Sequence, residues 1–467
     1  MVDKKKLDYV ISACGMMGVF TPDHEASWFP EYKNATISLM GSLKKRIAET
    51  CHNTNPLVST LYNAYTEKNH VEEFKRLSNL GSESVYADSG GLQIVTAGKS
   101  ITDEIKNQIY KTQTYADYAM CFDVIPLSSV SLTRTRNERS NVGNKIFHDT
   151  DHQKSAFATG DNIKAQTTYF RNVGAKTKVI IIVQGNNIQD MVDFYNNIAS
   201  RLTDEDYANI GGMAIADTCM GNGELESIEM LCAAKKISQV CHPNVRKHLH
   251  VLGVGSIYRM RPILYLLKSG YLSEFERVSY DSSSHTSTFQ YGLLKVNGTC
   301  KSIGSYKTMA VDKHFRNVYN LFSDTFSQYV TADQFIDNIF GTDGGDWKYS
   351  TIKNRVLQSE DTNKIVSTLL CNAAHTYFQI HNFITNLDKV MEDEYMIEPD
   401  DPDKDVMPLS SGASSNKSNK ILHINQLLNV KTEIKMEEWL TTNVNRAKSK
   451  RINRDSETST IMRFIDE

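Results

Sequence analysis

Lys178-Val179-Ile180-Ile181-Ile182-Val183-Gln184-Gly185 is the stretch that decides the fold. A continuous run of β-branched apolar residues, with no polar alternation, fits a strand buried on both faces, as in a parallel sheet covered by helices. The run stops at Gln184-Gly185-Asn186-Asn187, and helical spacing begins at Met191 and runs to Leu202. Strand, polar turn, helix is therefore the local unit.

The unit repeats in both directions. Upstream, strands are predicted at Leu7 to Ser12, at Pro56 to Tyr62 (where Leu57, Leu61 and Tyr62 could also sit on a helix), before Asp88, and at Tyr118 to Phe122. Helices are predicted at Ser38 to Thr50, His70 to Leu80 with Gly81 as a stop, Thr102 to Ala116, and Phe157 to Val173. A polar excursion of about thirty residues precedes the last of these. Downstream, strands at Asn209 to Ile215, His248 to Leu252 and Glu276 to Tyr280 alternate with helices at Glu224 to Val240 and Ile257 to Leu267. Eight strands over about 280 residues suit a closed (β/α)8 TIM barrel with insertions; a doubly wound open sheet is the alternative. Polar residues gathered at the C-terminal strand ends favour the barrel, whose sites lie at that face.

The expected organisation is an α/β barrel core over residues 1–292, then a mainly helical C-terminal extension over 293–392. A linker or loop rich in Asp, Pro and Ser follows at 393–420, and 421–467 carries a basic run, Arg446 to Arg454. Net charge is −3, so no global basic field advertises nucleic acid, and such a partner would need a local patch. No stretch has the length of a membrane span and no secretory pattern opens the chain, so no membrane partner is expected. The eight cysteines are scattered without a Cys-x-x-Cys pair, which predicts reduced thiols in a cytoplasmic protein. Gly253-Val254-Gly255 lacks the third glycine of a dinucleotide loop, so no nucleotide cofactor is expected.

The strand ends carry the chemistry. In order they read Asp88-Ser89-Gly90-Gly91-Leu92-Gln93, Phe122-Asp123-Val124-Ile125-Pro126, Val183-Gln184-Gly185, Gly211-Gly212-Met213-Ala214, Leu252-Gly253-Val254-Gly255 and Tyr280-Asp281. Each alone is common: an Asp-Ser-Gly-Gly turn is usually only a turn, Asp123 could cap a helix, Gln184 could be a loop residue, and Asp281 before three serines could be an N-cap. Six in this order resemble the tRNA-guanine transglycosylase (queuine tRNA-ribosyltransferase) family over roughly residues 84–292.

The resemblance implies an enzyme that exchanges guanine in nucleic acid for a 7-deazaguanine base. It implies Asp281 as the nucleophile at C1′ and Asp88 as the acid/base. Asp123 and Gln184 would hydrogen-bond the purine edge, Gly212 and Met213 would contact the base through the backbone, and Leu252 would lie against its face. Ser89, Gly90 and Leu92 belong to the base pocket. Asp217 stands where the family often has Glu; it could sense the 7-substituent or be a solvated acid. The chemistry is coherent: a carboxylate can hold the sugar covalently while a second carboxylate moves protons, and a buried acid and amide reject bases that leave them unpaired.

The chain also departs from the family. Leu92 replaces a stacking Phe or Tyr, and Ser282 to Thr288 replaces a Pro-Thr-Arg-rich segment. The family's zinc-binding Cys-x-Cys-x-x-Cys is missing although a helix like its His-bearing one is recognisable at Ala374 to Phe378. No metal site is therefore expected, since zinc needs about four ligands. Such departures are most similar to the DNA-modifying branch of the family, found in bacteriophages and bacterial modification islands. That branch implies DNA as the preferred substrate, with tRNA as the alternative, a free 7-deazaguanine as the second substrate, and base flipping. For a phage-encoded protein the location would be the host cytoplasm. A non-catalytic barrel that binds nucleic acid or supports a partner subunit is the competing class, and a homodimer stays open. Arg134, Arg136 and Arg139 would overhang the active face and contact phosphate, or form a solvated loop.

Overall fold

The computed structural model describes residues 7–12, 57–66, 68, 71–72, 75, 83–91, 94, 100–126, 152–185, 187–217, 224–254, 262–264, 266–267, 270–282, 293–296 and 299–302. The helical extension expected beyond 302, the segments 393–420 and 421–467, Leu92, Arg134, Arg136 and Arg139 lie outside those residues, as do Cys371 and His375.

Eight strands form one closed parallel barrel in sequence order. They are β1 (Leu7–Ser12), β2 (Leu57–Asn63), β3 (Val85–Asp88), β4 (Tyr118–Met120), β5 (Lys178–Gly185), β6 (Ile210–Asp217), β7 (His248–Val251) and β8 (Arg277–Ser282). The ring closes where β8 pairs with β1, bringing Val10 opposite Asp281. Between the strands run α1 (Asp103–Gln113), α2 (His152–Asn172), α3 (Ile188–Ala199), the single turn α4 (Asp204–Tyr207) and α5 (Glu224–Val240). Thr102 caps α1 by accepting from the Ile105 N–H at 3.3 Å, as its Thr-Asp-Glu opening predicts. Among the described residues no helix is long and apolar enough to cross a membrane, and Cys121, Cys232 and Cys241 are buried and outside any disulfide.

The barrel has two kinds of wall. On β5, Val179 to Val183 are all buried, as a strand covered on both faces requires. On β8 the side chains alternate: Val278 and Tyr280 pack outward in the apolar core, whereas Arg277, Ser279 and Asp281 share the face that meets polar groups of β1, β3 and β7. Period-2 geometry puts those alternate residues in the barrel interior.

Three differences from the sequence expectation have physical causes. The helix expected from Phe157 begins at His152. Its buried face includes Thr159, Asn162, Gln166 and Thr167, so apolar periodicity understates it. Gly211-Gly212, expected at a strand end, lies instead in the first half of β6. Val179 pairs with Ile210 but Ile180 pairs with Gly212, so Gly211 is an extra residue, a bulge. Glycine is required there by close approach: a Cβ on Gly211 would stand 2.6 Å from the Lys178 Cβ, and one on Gly212 would stand 2.4 Å from the His248 carbonyl oxygen. Finally, the segment from 293 opens with an antiparallel pair, β9 (Leu293–Val296) and β10 (Thr299–Ser302), where helix is expected. The intervening dipeptide is Asn297-Gly298, a hairpin signal that short strands make easy to overlook.

Candidate active site

Asp88 ends β3, and the turn after it is built around its carboxylate. The backbone N–H groups of Ser89 and Gly90 favour the ionised form of that carboxylate. Gly90 has φ +72°, a left-handed conformation that favours glycine, and a Cβ there would stand 2.6 Å from Asn63 Oδ1. Asn63, at the end of β2, lies opposite Asp88 in the register. Its Oδ1 accepts from the N–H groups of Tyr65 and Thr66 at 3.0 and 3.1 Å, which turns its Nδ2 toward Asp88 Oδ2 at 3.5 Å. Ser89 is buried, and its Oγ accepts from the Gly91 N–H at 3.3 Å. Burial, with the charges of Asp123 and Asp281, pushes the Asp88 pKa up to about 7. Both carboxylates thus lie close enough to Asp88 to oppose its ionisation.

Asp123 follows β4 in a segment gripped from both sides. The Cys121 N–H donates to the Ile180 carbonyl at 2.9 Å. Gln113 of α1 donates to the Met120 carbonyl at 2.8 Å, and Asn162 of α2 donates to the Phe122 carbonyl at 3.0 Å. Thr159 Oγ1 accepts from the Val124 N–H at 2.9 Å. Gln166 donates to Gln113 Oε1 at 2.7 Å and ties the two helices together. The polar face of α2 therefore holds the backbone that carries Asp123. Gln184, at the C-terminal end of β5, donates from Nε2 to Asp123 Oδ2 at 2.7 Å, and both side chains are buried. That bond fixes the amide orientation and leaves Oε1 and the second amide hydrogen for a ligand. Burial pushes the Asp123 pKa up to about 6, against the opposing effect of the Gln184 bond.

Asp281 lies within β8, in register with Val10 of β1, so it is a strand residue and not a helix cap. Its Oδ1 accepts from the Gly253 N–H at 2.9 Å, and its carbonyl accepts from the Val254 N–H at 2.8 Å. Gly253 has φ +66°, the conformation that wraps this turn around the acid. His250 Nε2 stands 3.3 Å from the same Oδ1. Below it a polar chain descends through the barrel. His250 Nδ1 is 2.7 Å from Ser279 Oγ, which is 2.6 Å from His248 Nε2. The Tyr86 hydroxyl is 3.4 Å from that nitrogen and donates to Asp8 Oδ2 at 2.8 Å. Asp8 is fully buried and also takes hydrogen bonds from Ser59 Oγ at 2.9 Å and from Arg277, with which it forms an ion pair.

The barrel thus brings Asp88, Asp123, Gln184 and Asp281 to one mouth, with Ser89, Gly90 and half-buried Leu252 beside them. It does not bring Gly212 and Met213 there. Gly212 pairs with Ile180 and Met213 with Ile181 and Leu249, while the β6 residue level with Gln184 is Ala216. Four residues of strand place Gly212 roughly 13 Å below that level. Asp217 is the last residue of β6, paired with Gly185. Motif matching missed Asn63, His250, Ser279 and the clamp of Gln113, Thr159 and Asn162. Their only sequence signal is a polar residue at alternate positions of a strand or on the buried face of a helix. No protein-family model matches this chain, and no curated protein matches it.

Proposed function

We propose that this chain is a nucleic-acid guanine transglycosylase that exchanges guanine for a 7-deazaguanine base, with DNA as its preferred polymer. One observation carries the proposal: Asp123 and Asp281, from two other strand ends, both oppose the ionisation of Asp88 at a single mouth, and Gln184 is bonded to Asp123 at 2.7 Å. A barrel that only bound nucleic acid would gain nothing from crowding carboxylates that repel phosphate as well as each other.

In the proposed reaction Asp123 and Gln184 hold the edge of a flipped guanine. An ionised Asp123 accepts from the ring N–H and the exocyclic amine, and donors there offset its burial. A carboxylate oxygen of Asp281 forms a bond to C1′ as the C1′–N9 bond breaks. The N9 electron pair leaves with the base, which takes a proton from the Asp88 carboxyl. The incoming base then gives its N9 proton to Asp88, N9 bonds to C1′, and the C1′–O bond returns its electrons to Asp281. The same acid donates and then accepts, which a pKa near the working pH allows. Departures from the tRNA enzymes, the Ser282 to Thr288 segment and the missing cysteine cluster, support DNA as the polymer.

The test incubates the full chain with labelled guanine or a labelled 7-deazaguanine and, in parallel, duplex DNA or tRNA. Label in DNA is expected, and label only in tRNA reverses the polymer assignment. Asp281→Ala is expected to lower exchange by about 10³-fold or more; unchanged exchange would sink the proposal.

A further inference from the structure

The polar chain beneath Asp281 has a hydrogen-bond direction that its two ends fix. At the lower end, Tyr86 uses its only hydroxyl hydrogen on Asp8, so toward His248 its oxygen can only accept. His248 Nδ1 is buried and has no hydrogen-bond partner among the described residues. A proton on that nitrogen would be an orphaned buried donor, whereas a bare ring nitrogen there leaves only an acceptor unused. Burial, with the positive charge of Arg277 nearby, pushes the His248 pKa well below its ordinary value, so the ring carries a single N–H.

That N–H is therefore on Nε2, donating to Ser279 Oγ at 2.6 Å. Ser279 then has one hydrogen to give, and the atom at 2.7 Å on its other side is His250 Nδ1. With Nδ1 accepting, His250 must carry its hydrogen on Nε2, the nitrogen 3.3 Å from Asp281 Oδ1. The reverse direction would strand a proton on His248 Nδ1 and aim a bare His250 nitrogen at a carboxylate.

From this we infer that His250 is a positioning residue, held as its Nε2–H tautomer by Ser279 and His248, which with the Gly253 N–H ties down Oδ1 of Asp281 and leaves Oδ2 as the oxygen that reacts. Among the described residues no hydrogen bond reaches Oδ2. The inference rests on the proposed nucleophilic role of Asp281. The chemical benefit is selection: two donors on one oxygen stop the carboxylate rotating, so the other oxygen meets C1′ in one orientation.

Two measurements on the full chain test it. Long-range proton–nitrogen correlation spectra of ¹⁵N-histidine-labelled protein, assigned with His250→Gln and His248→Gln, are expected to show His250 and His248 both protonated at Nε2 and bare at Nδ1. A protonated Nδ1 on His250 overturns the inference whether or not the protein has any activity. In base exchange, His250→Phe is expected to lower kcat about 10- to 100-fold with KM unchanged. His250→Gln, whose amide N–H reaches the same place, is expected to restore most of it. Ser279→Ala is expected to lower kcat in the parent chain, with no additive loss alongside His250→Gln, since an amide has no tautomer to set. Equal kcat losses in the Phe and Gln variants, matched by equal losses of Tm, would mean a merely structural histidine and overturn the inference. Wild-type protein that exchanges no base would overturn the transglycosylase proposal, while the nitrogen spectra still decide the tautomer.

Discussion

On the β3–β5 side of the mouth, Asp88 has two backbone N–H groups from its own turn and a distant amide at 3.5 Å, and Asp123 has the Gln184 amide. On the β7–β8 side, a single oxygen of Asp281 takes a backbone N–H and an imidazole, and below it a single oxygen of Asp8 takes a guanidinium, a hydroxyl and a phenol. Both of the first pair are buried and Asp88 is crowded by like charge, which suits an acid meant to gain and lose a proton. The second pair is supplied with donors from strands far apart in sequence, which suits groups meant to stay where they are. One barrel therefore runs two electrostatic regimes, set by like charge and burial on one side and by donors from distant strands on the other.

The comparison breaks most sharply if Asp88 is dispensable. Asp88→Asn is expected to lower base exchange about 10²- to 10⁴-fold, the usual contribution of a positioned acid/base, and to raise the denaturant midpoint at pH 8 because a buried charge is removed. A slower but destabilised variant would place Asp88 with the structural acids instead.

Arg277→Met tests the opposite side. Removing one partner of a buried ion pair leaves Asp8 uncompensated and is expected to cost about 3–5 kcal/mol of unfolding free energy. Adding Asp8→Asn is expected to return much of that loss, because the stranded charge is then gone. Urea titration of the single and double variants measures both.

Gln184→Ala leaves Asp123 without its amide. It is expected to weaken binding of the free base by about 1–3 kcal/mol, read by calorimetry with a 7-deazaguanine.

The last effect is a slope with pH. Asp88 and Asp123 have folded pKa values of about 7 and about 6 against an ordinary 3.8. The folded protein therefore holds protons that the unfolded chain has released. Their contribution to stability is fully present below pH 3.8 and is lost as pH rises, through 6 for Asp123 and through 7 for Asp88. Each group lowers the unfolding free energy by at most about 1.4 kcal/mol per pH unit inside its window. Denaturant titrations between pH 4 and 8 are expected to show this decline, and the Asp88→Asn, Asp123→Asn double variant to flatten it.

These two regimes were unequally visible in the sequence. The barrel was legible because β5 is apolar on both faces and because polar residues punctuate successive strand ends. Asp88, Asp123, Gln184 and Asp281 were legible for the same reason: each ends or adjoins a strand, and the C-terminal ends of barrel strands converge. The Asp281 support was not. His250, Ser279, Tyr86 and Asp8 look unremarkable singly, and their connection exists only once four strands close into a ring. Gly211-Gly212 misled because turns, bulges and tight strand contacts all demand glycine, and only the pairing register distinguishes them. The clamp on Asp123 was hidden because α2 buries amides and hydroxyls where an amphipathic helix is expected to bury aliphatic side chains.

The ion pair between Asp8 and Arg277 joins residues 269 positions apart, and this has a consequence for how the chain is made. During synthesis β1 emerges before the rest of the barrel and carries an acid whose cationic partner is translated only after six further strands, at the start of β8. Until β8 arrives, β1 presents an open parallel edge and a charge with no counter-charge, and the histidine ladder has no serine to join it. Ring closure is a long-range contact, the slowest kind to form, and here it coincides with assembly of the hydrogen bonds around Asp281. Nascent chains released before Arg277 would accordingly be caught with an unpaired strand edge, the kind of species that invites aggregation or chaperone capture.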